Sequence, residues 1–122
     1  MKVYFDGGCR TAAGIMETAL VVRGRAWVER DLGPGTSMDA EWLALIRAVE
    51  VAGELGLSDV LFLGDALGVI LPATGALKCR AAFAHHLERL RRVSGGDGAL
   101  RVRHIKRTQN LAGIELARGH GR

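Results

Sequence analysis

The sequence has 122 residues, the size of one domain, and 48% of them are hydrophobic, which excludes a disordered chain and allows a real core. The formal charge is +4, a mild excess that alone selects no partner. The two cysteines, Cys9 and Cys79, have no spacing of a zinc site or a disulfide framework, and the longest uncharged run, Ala66 to Leu77, is too short to span a membrane.

Lys2 to Phe5 reads as a first strand, rich in β-branched and aromatic residues. Asp6 stands at its end, and Gly7-Gly8 is expected to turn the chain. Cys9 to Gly14 reads as a loop. No charged-then-apolar leader precedes the strand, so a soluble, cytoplasmic protein is the expectation. Ile15 to Val22 is a second strand, and Arg25 to Leu32 alternates as a third. Short connections suggest an antiparallel meander.

Gly33-Pro34-Gly35 ends the sheet pattern. Thr36 or Ser37 can cap a helix from about Met38 to Leu55, with Asp39 and Glu41 in its first turn. Glu41 shares a stripe with Leu45, Ala48 and Ala52, away from Arg47, Glu50 and Glu54. An acid on the core side needs a partner, either a metal or an arginine. Val60 to Leu63 is continuously apolar, as in a central strand, and Asp65 follows its end. Ala66 to Leu71 reads as a short helix stopped by Pro72.

Lys78 to Val93 reads as a helix with Phe83, Leu87 and Leu90 inward. Adjacent helical residues diverge, so His85 and His86 are expected at the surface or its boundary, not on one ligand. Ser94 to Gly98 is a turn, Ala99 to Ile105 a last strand, and Gln109 to Ala117 a last helix. Residues 118–122 read as a frayed tail of a single domain spanning 1–122. From Lys78 to Arg107 nine Lys/Arg face only Glu88 and Asp97, a net of +7, which leaves −3 elsewhere. Such a stretch is either a polyanion-binding surface or a solvated face.

The order β-β-β-α-β-α-α-β-α predicts an α/β fold: a mixed five-stranded sheet, three antiparallel strands then parallel ones, with helices on both faces. Asp6, Glu41 and Asp65 then fall at comparable places. Three carboxylates together repel and imply divalent cations. Oxygen ligands favour Mg²⁺ or Mn²⁺ over zinc. A metal pair held this way can hydrolyse phosphodiesters, with the basic stretch holding the backbone.

These residues carry a family resemblance. Phe5-Asp6-Gly7-Gly8-Cys9-Arg10, Asp39-Ala40-Glu41-Trp42-Leu43-Ala44-Leu45, Leu63-Gly64-Asp65-Ala66 and His104 to Asn110 resemble the motifs of the ribonuclease H type I family. The resemblance implies a ribonuclease-H-like fold and endonucleolytic cleavage of the RNA strand of RNA–DNA hybrids. It implies that Asp6, Glu41 and Asp65 are catalytic, holding two Mg²⁺ or Mn²⁺ ions with substrate. The backbone of Gly7, Gly8 and Cys9 would lie against RNA 2′-hydroxyls. The expected nucleic-acid-binding set adds Arg10, Arg89, Arg91, Arg92, Arg107 and Asn110.

The chain departs from the family pattern at the fourth metal-binding Asp. Anchoring on Asn110 and Leu116-Ala117 puts Ile114 there. Glu115 is the nearest acid, but one residue on is about 100° round a helix. Ile114 otherwise reads as an apolar packing residue. Ser37-Met38 replaces a common asparagine pair, and Ala66 a common serine. The second reading is therefore a weak or inert nucleic-acid-binding domain of the same fold.

Overall fold

The computed structural model describes residues 1–10, 14–95 and 100–118. Strands β1 (Lys2–Arg10), β2 (Ile15–Val22), β3 (Arg25–Glu29), β4 (Leu61–Gly64) and β5 (Val102–His104) form one sheet in the order β3-β2-β1-β4-β5. β1, β2 and β3 pair antiparallel. β4 joins β1 in parallel, and β5 joins β4 in parallel. This is the mixed sheet expected from the element order.

Gly7-Gly8 does not turn the chain. β1 runs on to Arg10, paired with β2 as far as Arg10 opposite Ile15. Asp6 is thus a mid-strand residue, and Cys9 and Arg10 are not in a loop. A glycine is needed at Gly7 because a Cβ there would collide with the Ala40 carbonyl. β3 stops short of the expected Leu32 because Asp31 takes a left-handed backbone, φ 57°.

Helix α1 (Ser37–Glu54) starts from a Thr36–Asp39 capping box. Leu45, Ala48 and Ala52 are buried as the stripe predicts, but so are Ala40, Trp42, Ala44, Ile46 and Val51. The helix has the sheet on one side and α3 (Ala84–Val93) on the other, so it is buried nearly all round. α2 (Leu67–Ala73) carries Pro72 in its last turn instead of stopping before it. The helix expected from Lys78 begins only at Ala84, after a 3-10 turn over Ala81–Phe83. Two cations, Lys78 and Arg80, at the positive end of a helix would oppose an earlier start. β5 is shorter than expected. α4 (Leu111–Arg118) begins after a 3-10 turn over Arg107–Gln109. Arg118 closes this helix and is not frayed; the rest of the expected tail, and Gly96 to Gly98 of the expected turn, lie outside the described residues.

The two faces of β1 serve different partners. Val3 and Phe5 pack with α1 in the main core, while Tyr4 packs with Ala19, Val21, Ala112 and Leu116 under α4. No helix is long and apolar enough to cross a membrane among the described residues.

Candidate active site

Sheet register brings the first two acids level. Tyr4 is opposite Leu63 in the parallel pair β1–β4, and two residues further on each chain stand Asp6 and Asp65. β4 ends at Gly64, so one edge of β1 is left open beyond this point. Two side chains occupy that edge. Gly7 N donates to Glu41 Oε1 at 2.9 Å, and Asn110 Nδ2 donates to the Phe5 carbonyl at 2.9 Å. Glu41 is therefore held by a strand amide on the core-facing side of α1, with no arginine paired to it among the described residues.

Asp6, Glu41 and Asp65 each offer a carboxylate oxygen, and all three atoms lie within 4.8 Å of one another. Asn110 Nδ2 also donates to Asp65 Oδ2 at 3.1 Å. Burial first, then the Asp65 charge, pushes Asp6 up to about 7, although Arg107 pulls it down. Burial first, then the Asp6 charge, pushes Glu41 up to about 8, although the Gly7 amide pulls it down. Carboxyls so crowded hold protons near neutrality unless a cation takes their place. The donor set, all carboxylate oxygen and converging on one point, fits a hard divalent ion.

The acids open into a cleft of about 480 Å³ that is also lined by Gly7, Gly8, Cys9, Arg107 and Gly113. Of the expected nucleic-acid-binding residues, these four (the first three and Arg107) stand in the cleft. Arg10 is exposed and pairs with Asp31 at 3.2 Å. Asn110 is fully buried and offers no surface to a strand; its amide serves Phe5 and Asp65, and its Oδ1 accepts from Ala112 N at 3.1 Å. Arg89, Arg91 and Arg92 lie on α3, outside the lining of the cleft. Arg89 faces Glu50 at 3.8 Å and Arg92 faces Glu88 at 3.2 Å.

α4 closes the opposite wall. A methyl group added at Gly113 would stand 3.3 Å from Asp6 Oδ2. Ile114 is 45% exposed and is no core-packing residue. Glu115 pairs with Arg118 at 2.9 Å and is not in the acid cluster.

Two features escape the sequence reading. Glu17, buried on β2 opposite Gly8, lines the same cleft and pairs with Arg30 at 2.8 Å. An acid inside the apolar run of β2 was the available signal. His85 and His86 do not diverge: His86 is buried and their ring centroids are 3.9 Å apart.

The model of the family described as reverse transcriptase-like matches residues 5–120. The chain belongs to the reverse transcriptase-like family. Its fold is ribonuclease-H-like. The ribonuclease H1 of the halophilic archaeon Halobacterium salinarum superposes with a TM-score of 0.80 at 27% identity, over 94% of this chain and 92% of that one. LC11 ribonuclease H1, isolated from compost and solved in complex with RNA/DNA hybrid, gives 0.77 at 23% identity, over 94% and 91%. The N-terminal ribonuclease H domain of a Mycobacterium tuberculosis protein gives 0.75 at 17% identity, over 98% and 97%. No curated protein matches significantly in sequence.

Proposed function

We propose that this chain is a divalent-metal-dependent endonuclease that hydrolyses the RNA strand of RNA–DNA hybrids. The observation that carries the reading is the convergence of Asp6, Glu41 and Asp65 within 4.8 Å, in a cleft shared with Gly7, Gly8, Cys9 and Arg107. Asp6, Glu41 and Asp65 would hold Mg²⁺ or Mn²⁺. When bound, such cations would supply Lewis acidity to activate water and to neutralise charge on the departing oxygen of a phosphodiester.

The chain's own groups do the rest. Asn110 fixes which way Asp65 presents its free oxygen, and the Gly7 amide does the same for Glu41. The Arg107 cation beside Asp6 attracts phosphate to that end of the cleft. Without side chains at Gly7 and Gly8, a ribose edge can approach β1 closely, and backbone groups there can meet 2′-hydroxyls. The hybrid bound by the LC11 enzyme supports this choice of substrate.

Ile114 favours a second reading. An exposed aliphatic side chain stands where the family's fourth acid is expected, so the same cleft can bind a hybrid and cut it slowly or not at all.

A labelled RNA–DNA hybrid incubated with Mg²⁺ or Mn²⁺ tests both. Cleavage that Asp65→Asn abolishes supports the enzyme. Salt-sensitive hybrid binding with no cleavage in either metal overturns it in favour of the binding domain.

A further inference from the structure

A second constellation lies away from the carboxylate trio, where the start of α1 meets the start of α3. Asp39, His85 and His86 each offer one ligand atom, and all three lie within 4.8 Å of one another. Two of them are already oriented. Asp39 commits Oδ2 to the capping box, accepting from Thr36 N at 3.1 Å and Thr36 Oγ1 at 2.7 Å. That leaves Oδ1, which faces His86 Nε2 at 2.9 Å. The His86 ring is buried and lies nearly parallel to Trp42, centroids 6.2 Å apart, and to Phe83, 6.4 Å apart. His85 is exposed and leans over His86 at a 37° interplanar angle.

We infer that Asp39, His85 and His86 form a borderline transition-metal site, of the class that takes Zn²⁺. Two imidazoles and one carboxylate are its ligand chemistry, as three carboxylates are that of Mg²⁺ or Mn²⁺. Tetrahedral zinc bonds of about 2.0–2.2 Å set its ligands about 3.3–3.6 Å apart. The Asp39–His86 pair needs to open only slightly to admit the ion. Exposed His85 swings in as the third ligand, and water completes the set. The ion would tie the first turn of α1 to the first turn of α3. It does not depend on the nuclease reading.

A simpler reading is that Asp39–His86 is a plain strut between helices, with His85 idle. His85→Ala separates the two, because His85 is exposed and outside the strut. The probe is Zn²⁺ added to the full chain in excess Mg²⁺, read by melting temperature and by equilibrium dialysis. The site predicts one bound Zn²⁺ and a raised melting temperature in wild type. It predicts the same in Asp65→Asn, and at least about tenfold weaker binding in His85→Ala with its zinc-free melting temperature unchanged. Zinc that leaves the wild-type melting temperature unmoved, that binds His85→Ala equally, or that is lost with Asp65→Asn overturns the proposal.

Discussion

The Asn110 side-chain amide donates to Asp65 Oδ2 at 3.1 Å from a position with no solvent exposure. The same nitrogen donates to the Phe5 carbonyl at 2.9 Å. One residue thus caps part of the open edge of β1, next to Glu41, and aims an acid. Asn110→Ala should lower stability by about 1–3 kcal/mol, the usual consequence of stranding a buried acceptor. A shift of the urea midpoint measures this. Nuclease activity should fall further than the unfolded fraction accounts for, because Asp65 loses its anchor.

Gly7 and Gly8 make a matched pair. A Cβ at Gly7 meets the Ala40 backbone, whereas one at Gly8 meets only Leu116 Cδ2 at 3.8 Å. Gly7→Ala should cost at least about 2 kcal/mol, and Gly8→Ala under about 1 kcal/mol. Equal urea midpoints for the two variants would show that α1 does not sit against β1 so closely.

Asp6 and Glu41 make stability pH-dependent. Their pKa values are raised from 3.8 and 4.5 to about 7 and about 8. Between those limits the folded chain binds more protons than the unfolded one. The metal-free protein is therefore most stable, from this source, below the ordinary carboxylate range, and it loses that stability as pH rises through about 7 and 8. Urea midpoints taken in chelator across this window should fall with pH. Mg²⁺ should remove most of the fall, whereas Asp6→Asn should remove the share that Asp6 contributes and leave the part Glu41 owes to burial.

Ile114→Asp tests the fourth ligand. The side chain is exposed, so the change should move stability by no more than about 0.5 kcal/mol. Cleavage of the hybrid should rise on the order of tenfold if a metal position lacks only that carboxylate. An unchanged or lower rate would place the missing function elsewhere.

Arg107 and the α3 arginines should behave differently. Arg107 lines the cleft and acts on Asp6, so Arg107→Ala should reduce both binding and rate. Replacing Arg89, Arg91 and Arg92 together should weaken hybrid binding without sequence preference and reduce its salt slope by about 2–3. If that slope is untouched, the stretch is a solvated face, consistent with the Glu50 and Glu88 pairings of Arg89 and Arg92.

The mixed sheet and the succession of its strands along the chain were legible because alternation and apolar runs are local signals. The carboxylate trio was legible because each acid sits beside a recognisable motif. What escaped the sequence is what depends on distant atoms. Gly7-Gly8 looks like a turn until α1 is known to press on it. The late start of α3 at Ala84 reflects charge at a helix end, which periodicity ignores. Asn110 reads, by resemblance, as a nucleic-acid-binding residue, and its burial follows only from where β4 stops. Glu17 and His86 are polar side chains whose partners, Arg30 and Asp39, lie 13 and 47 positions away.

The bond from Asn110 to Phe5 spans 105 positions. The acid cluster therefore cannot take its final form in a growing polypeptide until the segment that carries Asn110 has been synthesised and has folded back onto the first strand. Before that moment the Phe5 carbonyl on the open edge of β1 lacks this partner and is available to a neighbouring chain. The same asparagine that aims Asp65 thus also serves as a late safeguard against intermolecular pairing.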